Sequence, residues 1–325
     1  MNYTIFGESH GPAIGVVLTG VPAGLELDLE AVALQMARRA PGSTPTATAR
    51  READRVEILS GLFEGKTTGT PLAAVIRNTD THSSDYSQLK DLPRPSHADY
   101  TGTIRYGGHN DYRGGGHFSG RLTAPLVFAG AVAQQLLISK GITVHSRISM
   151  LGGVPDPTPE QAETVILAAK AEGDSVGGSI ACEVRGIPAG YGSPDLGENA
   201  EGIFAKHLFA VPAVKGLAFG AGFAFASMRG SQANDPFCME DGQVRTHTNH
   251  SGGINGGITN GMPLCFEVAL RPTPSIAQQQ QTVSLSRGAE EPLTIHGRHD
   301  PCIVQRALPV IEAAAALATC ELLGI

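Results

Sequence analysis

The sequence has few cysteines and no excess of positive charge. Its 325 residues include five cysteines, none in a Cys-x-x-Cys pair or with the spacing of a zinc site: Cys182, Cys238, Cys265, Cys302 and Cys320. An odd, scattered set in apolar surroundings is typical of reduced thiols in a cytosolic protein. The formal net charge is −7, so the chain has no general basic field that would hold nucleic acid or an anionic membrane surface.

Long apolar runs are also missing. The best candidate, residues 122–133, runs into Gln134 and Gln135 and stays short of the ~18 residues that span a bilayer. The N-terminus shows neither the basic segment nor the cleavage site of a signal peptide. We therefore predict a soluble, cytoplasmic protein that binds neither nucleic acid nor membranes.

Glycine, proline and arginine, in contrast, are abundant. The 41 glycines and 21 prolines follow no Gly-X-Y period, and 41% of the residues are hydrophobic, which indicates a globular protein with many tight turns. No linker or charge run divides the chain, so we predict a single domain over residues 1–325. The 18 arginines against 6 lysines suit oxyanions such as phosphate and carboxylate, although codon bias in a GC-rich genome explains the same skew.

Hydrophobic patterning predicts strands and four helices. The predicted strands cover residues 13–18, 55–59, 72–77, 143–150, 179–184, 223–228 and 264–270. The first helix is capped by Asp28 and ends at Arg38 and Arg39, and the others cover residues 122–139, 160–172 and 303–323. The loop Gly-Val-Pro-Ala-Gly at residues 20–24 returns as Gly-Ile-Pro-Ala-Gly at residues 186–190, which suggests a duplicated strand-loop-helix unit.

Four segments carry most of the residues able to bind or transform a ligand. In residues 6–12, His10 lies between small neighbours that let a ligand come close. Residues 94–99 precede a glycine-rich run over 106–121, and a triple glycine before an apolar helix offers bare N–H groups to an anion. Residues 249–261 form a second glycine-rich stretch. Residues 296–301 place histidine beside a carboxylate, which suits general acid–base chemistry.

Each segment has a second interpretation. A lone histidine is more often a structural group, and a glycine run is more often a surface loop. His97 with Asp99, or His299 with Asp300, are candidate metal ligands, but no His-x-His spacing occurs and the flanking arginines would repel a cation. The residues therefore favour oxyanion chemistry over a metal-dependent hydrolase.

Seven motifs, taken in order, resemble those of the chorismate synthase family. They are Gly-Glu-Ser-His-Gly (7–11), Arg-Pro-Ser-His-Ala-Asp (94–99), Arg-Gly-Gly-Gly (113–116), Met-Arg-Gly-Ser-Gln (228–232), Gly-Gly-Ile-Asn-Gly-Gly (252–257), Arg-Pro-Thr-Pro-Ser (271–275) and Gly-Arg-His-Asp-Pro (297–301). The resemblance implies an α+β fold, a single β-α-β sandwich domain whose antiparallel sheets enclose central helices, and a homotetramer. It also implies a lyase of the shikimate pathway that converts 5-enolpyruvylshikimate 3-phosphate to chorismate by 1,4-anti-elimination of phosphate, with reduced FMN (FMNH2) as cofactor.

The resemblance also implies roles for individual residues. His10 would protonate the departing phosphate, His97 would protonate or hydrogen-bond the reduced flavin, and Asp300 would help to deprotonate flavin N5. Histidine suits such steps because its unperturbed pKa lies near neutrality. The implied substrate-binding residues are Ser9, Arg39, Arg50, Arg51 and Arg298. The implied FMN-binding residues are His117, Phe118, Ser119, Pro212, Ala213, Gly256, Arg271, Pro272, Thr273, Pro274, Ser275 and again Arg298.

Two positions depart from the family pattern. His117 and Phe118 replace an arginine and a serine, so protonated His117 would take over the cationic contact and Phe118 would pack on the flavin ring. Pro45 replaces a further arginine, whose contact is then either missing or supplied by Arg50 or Arg51. These departures leave a second hypothesis, a flavin- or phosphate-binding protein without this catalysis. Because no Rossmann-type site for NADPH is visible, we predict that a separate flavin reductase, and not an NADP-dependent activity of the chain itself, reduces the flavin.

Overall fold

The computed structural model describes residues 1–41, 54–79, 88–195, 197–295 and 300–325. The strands, numbered in chain order, are β1 (Asn2–Gly7), β2 (Ala13–Thr19), β3 (Val56–Ser60), β4 (Leu62–Phe63), β5 (Lys66–Thr67), β6 (Leu72–Arg77), β7 (Thr143–Leu151), β8 (Val154–Pro155), β9 (Gly178–Arg185), β10 (Val214–Phe219), β11 (Phe237–Glu240), β12 (Gln243–Thr246), β13 (Ile254–Asn255), β14 (Ile258–Thr259), β15 (Leu264–Leu270), β16 (Gln280–Ser284) and β17 (Ala289–Leu293). The helices are α1 (Leu29–Arg39), α2 (Asp99–Arg105), α3 (Thr123–Ile138), α4 (Pro159–Ala171), α5 (Ala200–Phe209), α6 (Gly230–Ala233) and α7 (Val304–Leu322).

Two antiparallel sheets form the outer layers of the fold. The first has the strand order β1-β2-β6-β3, and the second has the order β10-β15-β9-β7-β8. Apart from the short edge strand β8, both sheets contain four strands with the same connectivity. When the four strands of a sheet are counted along the chain, the first pairs with the second, the second with the fourth, and the fourth with the third. The repeated loops at residues 20–24 and 186–190 follow β2 and β9, which occupy equivalent places. This shared topology supports the predicted duplication.

Four helices, α1, α3, α5 and α7, lie between the two sheets. Helix α3 packs on β2 and β6 of the first sheet, α7 packs on β7 and β9 of the second, and α3 and α7 pack on each other. The two helices approach closely at Gly130, where a β-carbon would lie 2.1 Å from the Cβ of Ala313. Phe128 of α3 and Phe204 of α5 are fully buried in this layer. The arrangement confirms the predicted α+β sandwich.

Local sequence signals explain where several elements begin and end. The carboxylate of Asp28 accepts hydrogen bonds from the N–H groups of Glu30 and Ala31, both at 2.9 Å, and so caps α1. Thr158 and Gln161 cap α4 reciprocally. The four predicted helices and six of the seven predicted strands agree with the structure to within one residue at each end. Cys182, Cys302 and Cys320 are buried, whereas Cys238 and Cys265 are half-buried.

The strand predicted over residues 223–228 is wrong. Gly222–Ser227 forms a 3₁₀ helix, and Phe223 is 89% exposed. Alternating phenylalanine and alanine imitate a strand pattern, but the chain leaves the sheet after β10. It turns at Gly220 and Gly222, whose φ angles are +54° and +53°, so the next residues cannot continue the ladder.

Helix α3 corrects the expectation that no apolar run is long enough to cross a membrane. With the 3₁₀ turn before it, the segment Gly120–Ile138 has 19 residues and is long and apolar enough to cross a membrane. No other described segment is. Most of this segment is buried inside the fold. It is therefore a core helix and does not indicate a membrane protein.

Candidate active site

A cavity of about 270 Å³ opens where several elements end. Its lining includes Arg39 at the end of α1, Thr123 at the start of α3, Leu270 at the end of β15 and Ile303 just before α7. Neither α3 nor α7 has an acidic residue in its first turn. Because helix N-termini carry partial positive charge, these two ends favour an anionic ligand.

Arginine dominates the charge of the cavity. The lining arginines are Arg39, Arg94, Arg121, Arg271 and Arg306. Among the described lining residues Asp300 is the one carboxylate, and Arg306 Nη1 donates to it. Burial lowers the pKa of Arg271, but its guanidinium stays charged at neutral pH. The surplus of guanidinium groups suits a ligand with several phosphate or carboxylate charges.

One buried carboxylate, Asp54, holds two of these arginines. Arg39 Nη1 and Arg121 Nη1 donate to different oxygens of Asp54, whose side chain is 0% exposed. Arg39 Nε also donates to Thr123 Oγ1 at 3.1 Å. Burial opposes ionisation of Asp54, but the two guanidinium groups outweigh it and lower its pKa. The charged carboxylate therefore fixes both arginines at the cavity wall.

His97 lies in a second network, together with Asp99 and Arg94. Its Nδ1 is 2.6 Å from Asp99 Oδ1. Arg94 donates to the same carboxylate from Nε at 2.7 Å and reaches Ser275 Oγ from Nη1 at 3.0 Å. Burial lowers the pKa of His97, the hydrogen bond to Asp99 opposes this, and the positive charge of Arg94 adds to it. The lowered pKa leaves His97 neutral at pH 7.

Each of the two predicted catalytic histidines packs on one residue of the triple glycine. Gly114 and Gly115 have φ angles of +58° and +84°. A β-carbon at Gly114 would lie 2.0 Å from Cε1 of His10, and one at Gly115 would lie 3.1 Å from Cε1 of His97. Glycine at both positions is therefore required by the backbone conformation and, at Gly114, by the close approach of the ring.

Ser9 and His10 lie in the loop that joins β1 to β2. The side chain of Asn78 holds this loop by donating to the carbonyls of Glu8 at 3.0 Å and Gly11 at 2.8 Å. Ser9 is fully buried, and its Oγ has no hydrogen-bond partner among the described residues. Neither Ser9 nor His10 lines the cavity directly, whereas Gly114, on which His10 packs, does so.

The structure brings most of the other predicted residues together. The predicted residues that line the cavity are Arg39, His97, Phe118, Ser119, Pro212, Ala213, Arg271, Pro272, Thr273, Pro274, Ser275 and Asp300. His117 is exposed outside the cavity and donates from Nδ1 to the carbonyl of Gly7 at 2.9 Å. Gly256 lies in the turn between β13 and β14, away from the lining. Pro45, Arg50, Arg51 and Arg298 lie outside the described residues.

Five neighbours of these residues are absent from the substrate-binding, FMN-binding and catalytic sets that the sequence implied. Arg94, Arg121 and Arg306 line the cavity, and Asp54 and Asp99 hold the arginines and His97 in place. The signal for Arg94 and Asp99 was present, since both belong to the motif that contains His97. No group of three or more His, Cys, Asp or Glu side chains is placed to hold a metal ion in the described ranges.

Comparisons with known proteins agree with this geometry. The family model for chorismate synthase matches residues 1–323. The chain belongs to the chorismate synthase family. It is 46% identical over 335 residues to the chorismate synthase of Thermococcus kodakarensis, with 97% of this chain and 94% of the relative covered. Identity to the chorismate synthase of Dehalococcoides mccartyi is 45% over 341 residues, covering 98% and 93%.

A solved structure supports the same assignment. A crystal structure of chorismate synthase superimposes with a TM-score of 0.76 at 28% sequence identity, covering 99% of this chain and 91% of that chain. The chorismate synthase resemblance, the α+β fold and the lyase class predicted from the sequence are thereby confirmed. Chorismate synthases use a flavin cofactor and act on 5-enolpyruvylshikimate 3-phosphate.

Proposed function

We propose that this protein eliminates phosphate from 5-enolpyruvylshikimate 3-phosphate to form chorismate, using reduced FMN. The observation that carries the proposal is the cavity with five arginines, beside which His10 and His97 pack on adjacent glycines. The substrate's phosphate and carboxylates match guanidinium forks. Arg39 binds these anionic groups at the cavity wall, and Ser9, Arg50, Arg51 and Arg298 are assigned to the same substrate by the family motifs.

The elimination needs one proton donor and one proton acceptor. The carbon–oxygen bond to phosphate breaks with its electron pair on the phosphate, and a ring carbon loses a proton. The pair left by that proton forms one ring double bond, and the existing ring double bond shifts toward the carbon that loses the phosphate. His10 supplies the proton that neutralises the departing phosphate, a step for which imidazole is suited near pH 7. Asp300, at the cavity wall and paired with Arg306, would help to deprotonate flavin N5 when the cofactor is bound.

The residues of the cavity fit a bound flavin mononucleotide. Thr273 Oγ1 belongs to the cavity lining and is buried without a hydrogen-bond partner among the described residues. It can therefore form a hydrogen bond with a polar ligand. Arg271 and neighbouring residues 272–275, with Phe118, Ser119, Pro212 and Ala213, would hold the cofactor. When bound, reduced FMN supplies electron density to the substrate and a base at N5. His97, neutral and at the same wall, would hydrogen-bond its ring.

The proposal is tested by an anaerobic assay of the purified protein. With photoreduced FMN and 5-enolpyruvylshikimate 3-phosphate, we expect chorismate, followed by absorbance, and phosphate in equal amounts. EDTA should leave the rate unchanged, since the described residues form no metal cluster and we assign no metal a role. Binding of FMN without any chorismate would instead support a flavin-binding protein and overturn the proposal.

The same assay tests the source of the reduced flavin. We propose that a separate flavin reductase supplies it in the cytoplasm, because the sequence shows no Rossmann-type motif for NADPH. With NADPH and oxidised FMN in place of photoreduced FMN, the protein alone should form no chorismate, and an added flavin reductase should restore turnover. Turnover with NADPH alone would show that the chain reduces its own flavin.

We also propose that the chain acts as a single domain in a homotetramer. One hydrophobic cluster joins residues of both sheets and the helices between them, which supports a single domain. Phe223, Phe237 and Met239 all lie within residues 223–239 and are 89%, 72% and 70% exposed. Large exposed apolar side chains in one part of the chain favour an interface between copies.

Removing this apolar surface should reduce self-association. The wild type should have the mass of four chains in analytical ultracentrifugation. We expect the double variant Phe223→Ser with Phe237→Ser to have a lower mass. Phe63→Ser, at a position that is 69% exposed in the separate strand β4, is the matched control and should leave the mass unchanged. A tetramer that survives the double substitution would place the interface elsewhere.

A further inference from the structure

Asp99 has no role in the proposed function, yet it lies against the imidazole of His97. We propose that Asp99 is a positioning residue that fixes the tautomer of His97, holding the ring proton on Nδ1 and leaving Nε2 as an acceptor for the bound ligand. The role toward the ligand rests on the proposed function. The tautomer itself is a property of the protein without any ligand.

Asp99 is held as an ionised carboxylate and therefore only accepts hydrogen bonds. Asp99 is 7% exposed, and Arg94 donates to it from the backbone N–H at 3.0 Å, from Nε at 2.7 Å and from Nη2 at 2.8 Å. Burial opposes its ionisation, but the hydrogen bonds from Arg94 and His97 hold its pKa well below the usual range. An ionised carboxylate only accepts hydrogen bonds, so Nδ1 of His97, 2.6 Å away, must donate.

The charges around His97 set the protonation state of its imidazole. Burial disfavours the imidazolium, and the cations of Arg94 and Arg271 disfavour it further, while Asp99 favours it. The balance keeps the ring neutral at pH 7. A neutral ring carries one proton, and since Nδ1 has it, Nε2 has a lone pair.

The guanidinium of Arg94 lies beside the imidazole of His97 but outside the plane of the ring. Arg94 Nη2 lies 3.0 Å from Nδ1 and 3.3 Å from Nε2. No point in the ring plane is that close to both nitrogens without overlapping the carbon between them, so the guanidinium lies over the ring face. It therefore does not occupy the in-plane lone pair of Nε2. The ring belongs to the cavity lining, where a ligand N–H can reach that lone pair.

The network also connects this histidine to the residues assigned to the flavin. Arg94 donates to Asp99 and, from Nη1, to Ser275 Oγ at 3.0 Å. One guanidinium thus sets the position of both the carboxylate behind His97 and the segment that ends at Ser275. A ligand that moves Ser275 would move the partner of His97 with it.

The tautomer can be read from ring ¹⁵N chemical shifts in protein labelled at histidine, without cofactor. The His97 signals are identified by their absence from the spectrum of His97→Gln. In the wild type we expect a protonated Nδ1 and an unprotonated Nε2. In Asp99→Asn the donors of Arg94 should claim the amide oxygen, so the amide NH₂ faces Nδ1 and the proton moves to Nε2.

Turnover is the second measurement. Asp99→Asn should lower kcat roughly 10²-fold, as expected when a catalytic imidazole is held in the wrong tautomer, while KM for the substrate changes little. Asp156→Asn is the control, because Asp156 also pairs with an arginine, Arg147, but is exposed at 70% of its side chain. It should leave both the His97 signals and kcat unchanged.

Two results would overturn the proposal. One is a wild-type spectrum with the proton on Nε2, which decides the matter even where Asp99→Asn does not fold. The other is an Asp99→Asn spectrum in which Nδ1 stays protonated and kcat is unchanged. A wild type that shows the expected tautomer but forms no chorismate would contradict the proposed function and leave the tautomer assignment standing.

Discussion

Replacing Gly114 by alanine should lower the rate of chorismate formation about 10²- to 10⁴-fold, the range lost when a general acid is displaced. The new β-carbon would lie 2.0 Å from Cε1 and 2.1 Å from Nδ1 of His10, closer than any real contact. The backbone gives no relief, because Gly114 has a φ of +58° and its neighbours Gly115 and Gly116 are also in positive φ. The imidazole must therefore move away from Gly114, which lines the cavity.

Gly108→Ala separates the steric effect from backbone strain. Gly108 has a φ of +81°, but a β-carbon there would meet nothing within 4 Å. Gly108→Ala should therefore lower the free energy of unfolding by about 1 kcal/mol through backbone strain and leave the rate of chorismate formation nearly unchanged. Anaerobic assays with photoreduced FMN and thermal unfolding of both variants make the comparison.

A double-mutant cycle identifies the group through which Gly114 acts. If the alanine acts by displacing His10, then His10→Ala with Gly114→Ala should be no slower than His10→Ala alone, because a group that is already absent cannot be displaced. Effects that multiply would show that Gly114 has a separate role, for example as an N–H donor to the ligand. A Gly114→Ala variant with wild-type turnover would contradict the overlap itself.

Much of the fold follows from local pattern. Helix α1 begins after Asp28 and ends with Arg38 and Arg39 because cap and helix dipole act within a few residues. Strands that alternate or are wholly apolar, such as β15, were predicted correctly because burial repeats along them. The sequence of Gly222–Ser227 has the same alternation, but this segment forms a 3₁₀ helix. The chain leaves the sheet because it turns at Gly220, which packs closely on the His250 carbonyl.

The site was predicted in part, as segments but not as contacts. His97 and Asp300 stand in recognisable motifs and do line the cavity. Pairings across the fold are invisible in sequence: Asp54 joins Arg39 to Arg121, which is 67 residues away from it. His117 has the chemistry of a cavity cation, but its ring bonds to the Gly7 carbonyl, and residue type alone cannot give that direction. The missed groups are mainly those that hold the named residues in place.

Replacing Asp54 by alanine should lower the free energy of unfolding by about 3–5 kcal/mol, the loss typical when one partner of a buried ion pair is removed. Its side chain is 0% exposed, and those of Arg39 and Arg121 are 5% and 3% exposed. In the variant both guanidinium groups lose the carboxylate that they share but remain buried in a region of low dielectric constant. Urea unfolding at pH 7 measures the loss, and Asp156→Ala, which removes an exposed partner of Arg147, should change little.

The pH dependence and an anion distinguish this explanation from simple loss of packing. Because the pKa of Asp54 is lowered in the folded protein, its stabilising effect is full above its unfolded pKa of about 3.8 and is lost as the pH falls below that value. The stability difference between wild type and Asp54→Asn should therefore shrink on acidification. Inorganic phosphate should stabilise Asp54→Ala more than the wild type, since Arg39 and Arg121 both line the cavity and would gain an anionic partner. A difference that is independent of pH and phosphate would show that Asp54 acts through shape and not through charge.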